Sequence, residues 1–336
     1  MKKCFLLSTI SFILLISFNS AAQDADSVVF KPHGNPILKV FSNFNTSISE
    51  GVDDGGFEIR RAYLGYEYFL SPNFEIAIKL DIGSPNDASE YSLLRRFAYF
   101  KNAYVRYNWN NLSTQFGIVD VYQFKLQEKY WAHRYIWESF MDEFNFGPSA
   151  DLGWNVTYKF ADFISADFGL YNGEGYSKLQ NDNAFKGGLG VSLFPLKGLI
   201  VRLYGDAIKK SYYQTTTSGF VGYKYKDKFV GGVEYNYQFN QRYVEGQDKY
   251  GFSLYGSYYV ASKWQLFARY DQIYSNVLTG TENPWDLEED GSAIIGGVEF
   301  SPIKQVKIAL NYQDWTPYAK NLDGESYIYL NFEYKL

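Results

Sequence analysis

The stretch NFEIAIKLDIG, residues 73–83, sets Phe74, Ile76, Ile78, Leu80 and Ile82 on one face and Glu75, Lys79 and Asp81 on the other. Alternation with a period of two marks a β-strand, because successive side chains point to opposite sides. An unbroken apolar face backed by charges suits a strand with lipid on one side and water on the other. The pattern returns in KQVKIALNY, residues 304–312, with Val306, Ile308, Leu310 and Tyr312 in line. It returns again in the final YIYLNFEYKL, where Ile328, Leu330, Phe332, Tyr334 and Leu336 oppose Tyr329, Asn331, Glu333 and Lys335. Such segments run about 9 to 12 residues, the length a tilted strand needs to cross a bilayer.

Working outward, sixteen segments of this kind fall between residues 37 and 336. Their connections alternate. After even-numbered strands they are tight, as at Leu70-Ser71-Pro72, Asn110-Asn111, Asp227-Lys228 and Pro302-Ile303. After odd-numbered strands they are expected to run from about 8 to about 30 residues, in the pattern of short turns at one rim and long loops at the other. A soluble sandwich gives no reason for that alternation. The fold predicted is all-β: a transmembrane antiparallel outer-membrane β-barrel of 16 strands, closed because lipid cannot satisfy an open strand edge. The even count brings both termini to the periplasmic rim.

Composition agrees. Tyr, Phe and Trp make up 20% of the chain, as strands and membrane-interface belts favour. No stretch past the N-terminus reaches 18 apolar residues, so no transmembrane helix is expected. At the N-terminus, Lys2 and Lys3 precede an apolar run from Phe5 to Phe18, followed by Ser20-Ala21-Ala22. That is the form of a cleaved secretory signal peptide over residues 1–22, and the run is too short for a membrane anchor. Residues 23–36 are expected to be a periplasmic lead, and 37–336 the barrel. Cys4, the one cysteine, falls in the signal, so the mature chain has neither disulfides nor thiolate chemistry. Losing Lys2 and Lys3 leaves 30 basic residues against 37 acidic ones, which argues against nucleic acid as a partner. The expected partners are outer-membrane lipid and small hydrophilic solutes or ions.

With the apolar faces toward lipid, the intervening residues line the lumen. Arg61, Lys79, Arg106, Arg202, Lys224 and Arg269 are among them, and carboxylates such as Glu75, Asp81, Asp206 and Glu299 accompany them. A barrel of this size leaves an aqueous channel where eight strands would fill theirs. The connection at about 121–150, the third outer loop, contains QFKLQEKYWAHRYIWESFMDEFNFGP. Its eight Phe, Tyr and Trp side chains require burial, and the lumen can provide it. An inward-folded loop would present Lys125, Glu128, Lys129, His133, Arg134, Asp142 and Glu143 at the narrowest point of the pore.

Three stretches resemble the phosphate-selective porin family of the O and P type, in a form like that of Bacteroidetes outer membranes. GFEIRRAYLGYEYFLSPNFEIAIKLDIG resembles the early hairpin, with its paired arginines at Arg60 and Arg61. KNAYVRYNW followed by LSTQFGIVDVYQFK resembles the next hairpin and its lead into the constriction loop. SADLGWNVTYKF resembles the strand that leaves that loop. They cover roughly residues 56–160. The resemblance implies a trimeric sixteen-stranded porin with a basic residue at Lys125. The family's arginine before Asp-Leu-Gly is replaced here by Ser149-Ala150, and the choice of solute stays open between anions such as phosphate and other small hydrophilic solutes.

Two other function classes compete. A barrel hydrolase needs a Ser-His-acid unit, and only His33 and His133 exist, with Ser139 near the second. An adhesive or structural barrel would act through its loops. A carboxylate-rich outer loop, Glu282 to Asp290, suggests a solvated loop more than a cation site. The sequence assigns no catalytic residue, no metal site and no cofactor, and gives no reason to expect an enzyme.

Overall fold

The computed structural model describes residues 30–51, 54–83 and 98–336. The segment read as a signal peptide and the start of the lead lie outside them. Sixteen strands follow one another: β1 (His33–Ser47), β2 (Gly55–Phe69), β3 (Phe74–Ile82), β4 (Ala98–Trp109), β5 (Leu112–Asp120), β6 (Ala150–Ala161), β7 (Ile164–Tyr171), β8 (Lys186–Leu196), β9 (Leu199–Lys209), β10 (Tyr213–Tyr225), β11 (Phe229–Phe239), β12 (Lys249–Ala261), β13 (Trp264–Ser275), β14 (Gly291–Ile303), β15 (Val306–Pro317) and β16 (Glu325–Lys335). Two short helices, α1 (Lys125–Trp131) and α2 (Phe140–Glu143), lie between β5 and β6. Each strand pairs antiparallel with its neighbours in sequence, and β1 closes on β16 with Val40 opposite Tyr334 and Phe44 opposite Leu330.

The two faces separate as the alternation requires. In β3, Phe74, Ile76 and Ile78 are exposed on the outer wall, while Glu75, Ala77 and Asp81 are buried inside. The outer wall carries an aromatic girdle near each rim. Tyr237, Tyr250, Tyr274 and Tyr318 stack in sequence at 5.3, 5.6 and 5.4 Å below the long loops. Trp264 on Phe300 and Phe74 on Tyr107 mark the short-turn rim. Amphipathic rings settle at both membrane–water interfaces, so the spacing of the girdles frames the apolar belt.

Two boundaries differ from expectation. β1 begins at His33, so residues 33–36 belong to the barrel wall. Pro36 hid this. The Leu38 carbonyl accepts from Leu336 N–H, so Pro36, two residues earlier, faces the same side, past the end of β16. Proline is tolerated there because no partner asks for its missing N–H. His33 stacks on Phe69 of β2 at 5.0 Å. At the other rim the connection between β9 and β10 is only 210–212, not a long loop. Thr215, Thr216 and Thr217 continue β10 with polar, β-branched side chains, which sustain a strand without showing the apolar alternation.

Candidate pore constriction

Residues 121–149 leave the wall at Val121, whose N–H donates to the Ser149 carbonyl at 3.2 Å, and fold into the barrel. After residues 121–124 the loop makes about two turns of helix, α1, which opens with the good helix formers Lys, Leu, Gln and Glu. It ends at Ala132 in the left-handed region (φ 59°), whose N–H donates to the Glu128 carbonyl. Two apolar clusters hold the loop. Trp131, Tyr135 and Ile136 pack with Phe41, Tyr63, Phe220, Tyr255, Phe267 and Ile295 of the wall. Phe124, Phe140, Met141, Phe144 and Phe146 pack with Ile273. Full burial of each such side chain is worth about 1.5–3 kcal/mol.

Wall groups also bind the loop backbone from many directions. Arg60 donates to the Ile136 carbonyl at 2.8 Å, Arg202 to Tyr122 at 2.9 Å, Gln238 to Phe146 at 2.7 Å and Arg269 to Glu138 at 2.6 Å. Tyr135 Oη donates to Glu299 at 2.7 Å. These anchors come from β2, β9, β11, β13 and β14, so the loop crosses the lumen and is held on opposite walls.

What remains open beside the loop is a cavity of about 210 Å³, lined by Lys39, Lys79, Lys101, Lys125, Arg134, Glu67 and Glu128 among others. Five cations meet two carboxylates. Lys125 is 3.4 Å from Asp120, and Arg134 is held by Glu128, Glu138 and Asp142. The other three lysines make no ion pair among the described residues. They lie over aromatic rings instead: Lys39 over Phe41 at 5.9 Å, Lys79 over Tyr63 at 5.5 Å and Lys101 over Tyr176 at 4.0 Å. Lys101 Nζ also donates to Ser149 Oγ. A second cavity, of about 260 Å³, opens between α1 and β6–β9 and is lined by Lys125, Lys129, Asp167 and Arg202.

The residues expected at the constriction therefore divide. Lys125, Glu128 and Arg134 line the first cavity with Lys79, and Lys125, Lys129 and Arg202 the second. Asp142 lines neither cavity and is an ion partner of Arg134. Glu143 lines neither cavity, and burial pushes its carboxyl up to about 7. His133 is packed away from both, 1% exposed, stacked on Phe267 at 4.6 Å. Its Nδ1 meets the Trp131 carbonyl at 2.6 Å, and Nε2 lies 3.2 Å from Gln265 and 3.5 Å from Glu299. Burial outweighs the nearby carboxylate and lowers the imidazole to about 4. On the wall, Arg61 pairs with Asp81 and Glu138, Arg106 with Glu75, and Arg202 with Asp167. Arg269 is buried against Asp271, and Lys224 lies 4.5 Å over Tyr130.

Lys39 and Lys101 are additions to the set expected from sequence. Lys39 was legible, because it shares a face with the buried Phe41 and Asn43. Lys101 was not. Period two runs through Asn102, Tyr104 and Arg106 and assigns Lys101 to lipid. A bulge opposite Lys79 and Leu80, where the register passes from Asn102 to Phe100, turns both Lys101 and Asn102 inward.

Solved structures with this architecture include outer-membrane proteins. The anion-selective porin from Comamonas acidovorans is similar, with TM-score 0.64 at 13% identity over 91% of this chain and 100% of that chain. The outer membrane channel DcaP of Acinetobacter baumannii gives TM-score 0.64 at 11% identity, over 91% of this chain and 97% of its own. The trimer form of OmpT, an outer membrane protein of Vibrio cholerae, gives 0.62 at 15%, over 91% and 99%. The fold is the porin fold. No protein-family profile and no curated protein sequence matches the chain. In this barrel, as in the sequence-based expectation, the loop between β5 and β6 enters the lumen.

Proposed function

We propose that this chain is an outer-membrane porin, exported by its N-terminal signal, whose constriction passes small anions by passive diffusion. The observation that supports this is the group of three lysines that make no ion pair among the described residues, around one cavity, inside a chain that is acidic overall. An anion about 5 Å from one such charge gains roughly 3 kcal/mol at an effective dielectric of about 20. Three together can compensate for part of its lost hydration. Glu67 and Glu128 in the same lining keep the attraction from becoming a trap, since conduction needs release as well as capture. Lysine ammonium groups offer three donors each and suit small oxyanions such as phosphate. The assembly proposed is a homotrimer, in keeping with the trimer form of the OmpT relative.

The surroundings of His133 favour a channel over a hydrolase. Its two ring nitrogens are taken by a backbone carbonyl and by Gln265 with Glu299, not by a serine hydroxyl.

The test is the reversal potential of single channels in a planar bilayer under a KCl gradient. Anion preference, reduced when Lys39, Lys79 and Lys101 are all replaced by glutamine, is the expected result. Added inorganic phosphate should lower the chloride current. Cation preference in the unaltered protein would remove the anion reading and leave a general porin.

A further inference from the structure

α1 packs against β10 and β11, and near that contact the wall buries a carboxylate that forms no ion pair among the described residues. It belongs to Glu234 of β11, which is 1% exposed. Asn236 Nδ2 donates to its Oε2 at 2.9 Å, and its Oε1 has no donor. The neighbouring arginine is committed elsewhere. Arg269 gives Nε and Nη2 to Asp271 and Nη1 to the Glu138 carbonyl. Three further buried oxygens on adjoining elements have no hydrogen-bond partner: Oδ1 of Asn236, Oε1 of Gln127 and Oγ of Ser253. Gln127, Asn236 and Ser253 are each 0% exposed.

The strand register gathers these groups. Ser253 of β12 lies directly opposite Glu234, and Asn236 is the next inward residue on β11. Ser218 of β10 lies opposite Asn236, and Gln127 of α1 reaches Ser218 Oγ with Nε2 at 3.4 Å. Directly paired residues on one face have Cβ atoms about 5 Å apart. Tyr255 Oη donates to the Gln127 carbonyl at 3.1 Å, which fixes this end of the helix.

A buried carboxylate is tolerated when it is paired, protonated or bound to a metal. A proton on Glu234 would give one donor and leave most of the oxygens uncovered. A hard cation takes several oxygens at once. Charge selects the valence. Asp271 is balanced by Arg269, so Glu234 alone contributes a single uncompensated negative charge. A divalent ion would leave an excess of positive charge in a dry interior. We propose that Glu234 Oε1, Asn236 Oδ1, Gln127 Oε1 and Ser253 Oγ form a binding site for a dehydrated monovalent alkali cation such as Na⁺. The ion joins α1 to the barrel wall, and its binding does not depend on which solute crosses the pore.

The full chain, refolded in detergent, is to be heated in NaCl and in choline chloride at equal ionic strength. The expected result is a melting temperature that rises and saturates with Na⁺, a rise lost in Glu234→Gln and weakened in Ser253→Ala. Equal melting of the unaltered protein in the two salts overturns the proposal. So does a melting temperature that follows pH, ignores Na⁺ and is matched by Glu234→Gln, because a proton then occupies the place of the ion. Crystals soaked in RbCl give a second readout that does not need the variants to fold. An anomalous peak between Glu234 and Gln127 is expected, and its absence overturns the site.

Discussion

Lys79 and Lys101 are lumen lysines in adjoining strands, and each rests over a tyrosine ring and not beside a carboxylate. Such contacts orient a cation without cancelling its charge. Replacing Lys101 alone by glutamine should therefore reduce the anion-to-cation permeability ratio, whereas replacing Arg106, already paired with Glu75 at 2.6 Å, should change it little. His133 makes a different kind of prediction. Its folded value of about 4 lies below the ordinary 6.5, so between those values the unfolded chain holds a proton that the folded chain does not. The contribution to stability is complete above about pH 6.5 and is lost as pH falls toward 4. Protease cleavage of the loop should rise over that window in the unaltered protein and lose that rise in His133→Gln, where the opposite titration of Glu143 in the same loop remains. Equal rises in both would show that another group controls the docking. Ala132 is held at φ 59°, where a Cβ is unfavourable. Ala132→Gly should stabilise the loop by about 0.5–1 kcal/mol, seen as slower proteolysis.

The inward loop is one element held by two apolar clusters and by anchors from several strands. Trp131 is central to the first cluster, with Tyr255 at 5.6 Å, Phe267 at 6.2 Å and the Arg269 guanidinium over its ring. Truncating a buried tryptophan to alanine typically costs about 3–5 kcal/mol. In Trp131→Ala the loop should detach from the wall, giving larger and noisier single-channel conductance with weaker selectivity. An unchanged conductance would mean that the loop does not set the pore width. At this scale the sequence was largely legible. Alternation placed all sixteen strands, and the surplus of aromatics in 121–150 marked the loop that needed the lumen for burial. What escaped were features that alternation does not encode: the overhang at Pro36, the threonine-rich start of β10 and the bulge beside Lys101. The ion partners of Arg134 escaped as well, because Glu128, Glu138 and Asp142 converge only once the loop is folded.

Across the whole molecule, the charge that matters is local. The chain is acidic overall, yet the carboxylates of the wall are largely spent on neighbours, as Glu75 is on Arg106, Asp167 on Arg202 and Asp271 on Arg269. The outer wall is held to a stricter rule. Leu310 is exposed in the belt between Val298 and Leu330. An arginine there must meet lipid, and Leu310→Arg should destabilise the barrel by about 2–4 kcal/mol if it lies near the bilayer midplane, measured by urea unfolding in lipid vesicles. A loss below about 1 kcal/mol would place that position close to an interface.

The contact between Lys101 and Ser149 carries a consequence for descent. This chain ends the loop with Ser149, and Lys101 of β4, two strands away from β6, sets its ammonium group against that hydroxyl. Either position is placed to supply one charge there. Among homologous chains, a cation at the position of Ser149 should accompany a small or neutral residue at the position of Lys101, and the reverse. Exchanging both residues in this chain should preserve permeation where changing either one alone does not.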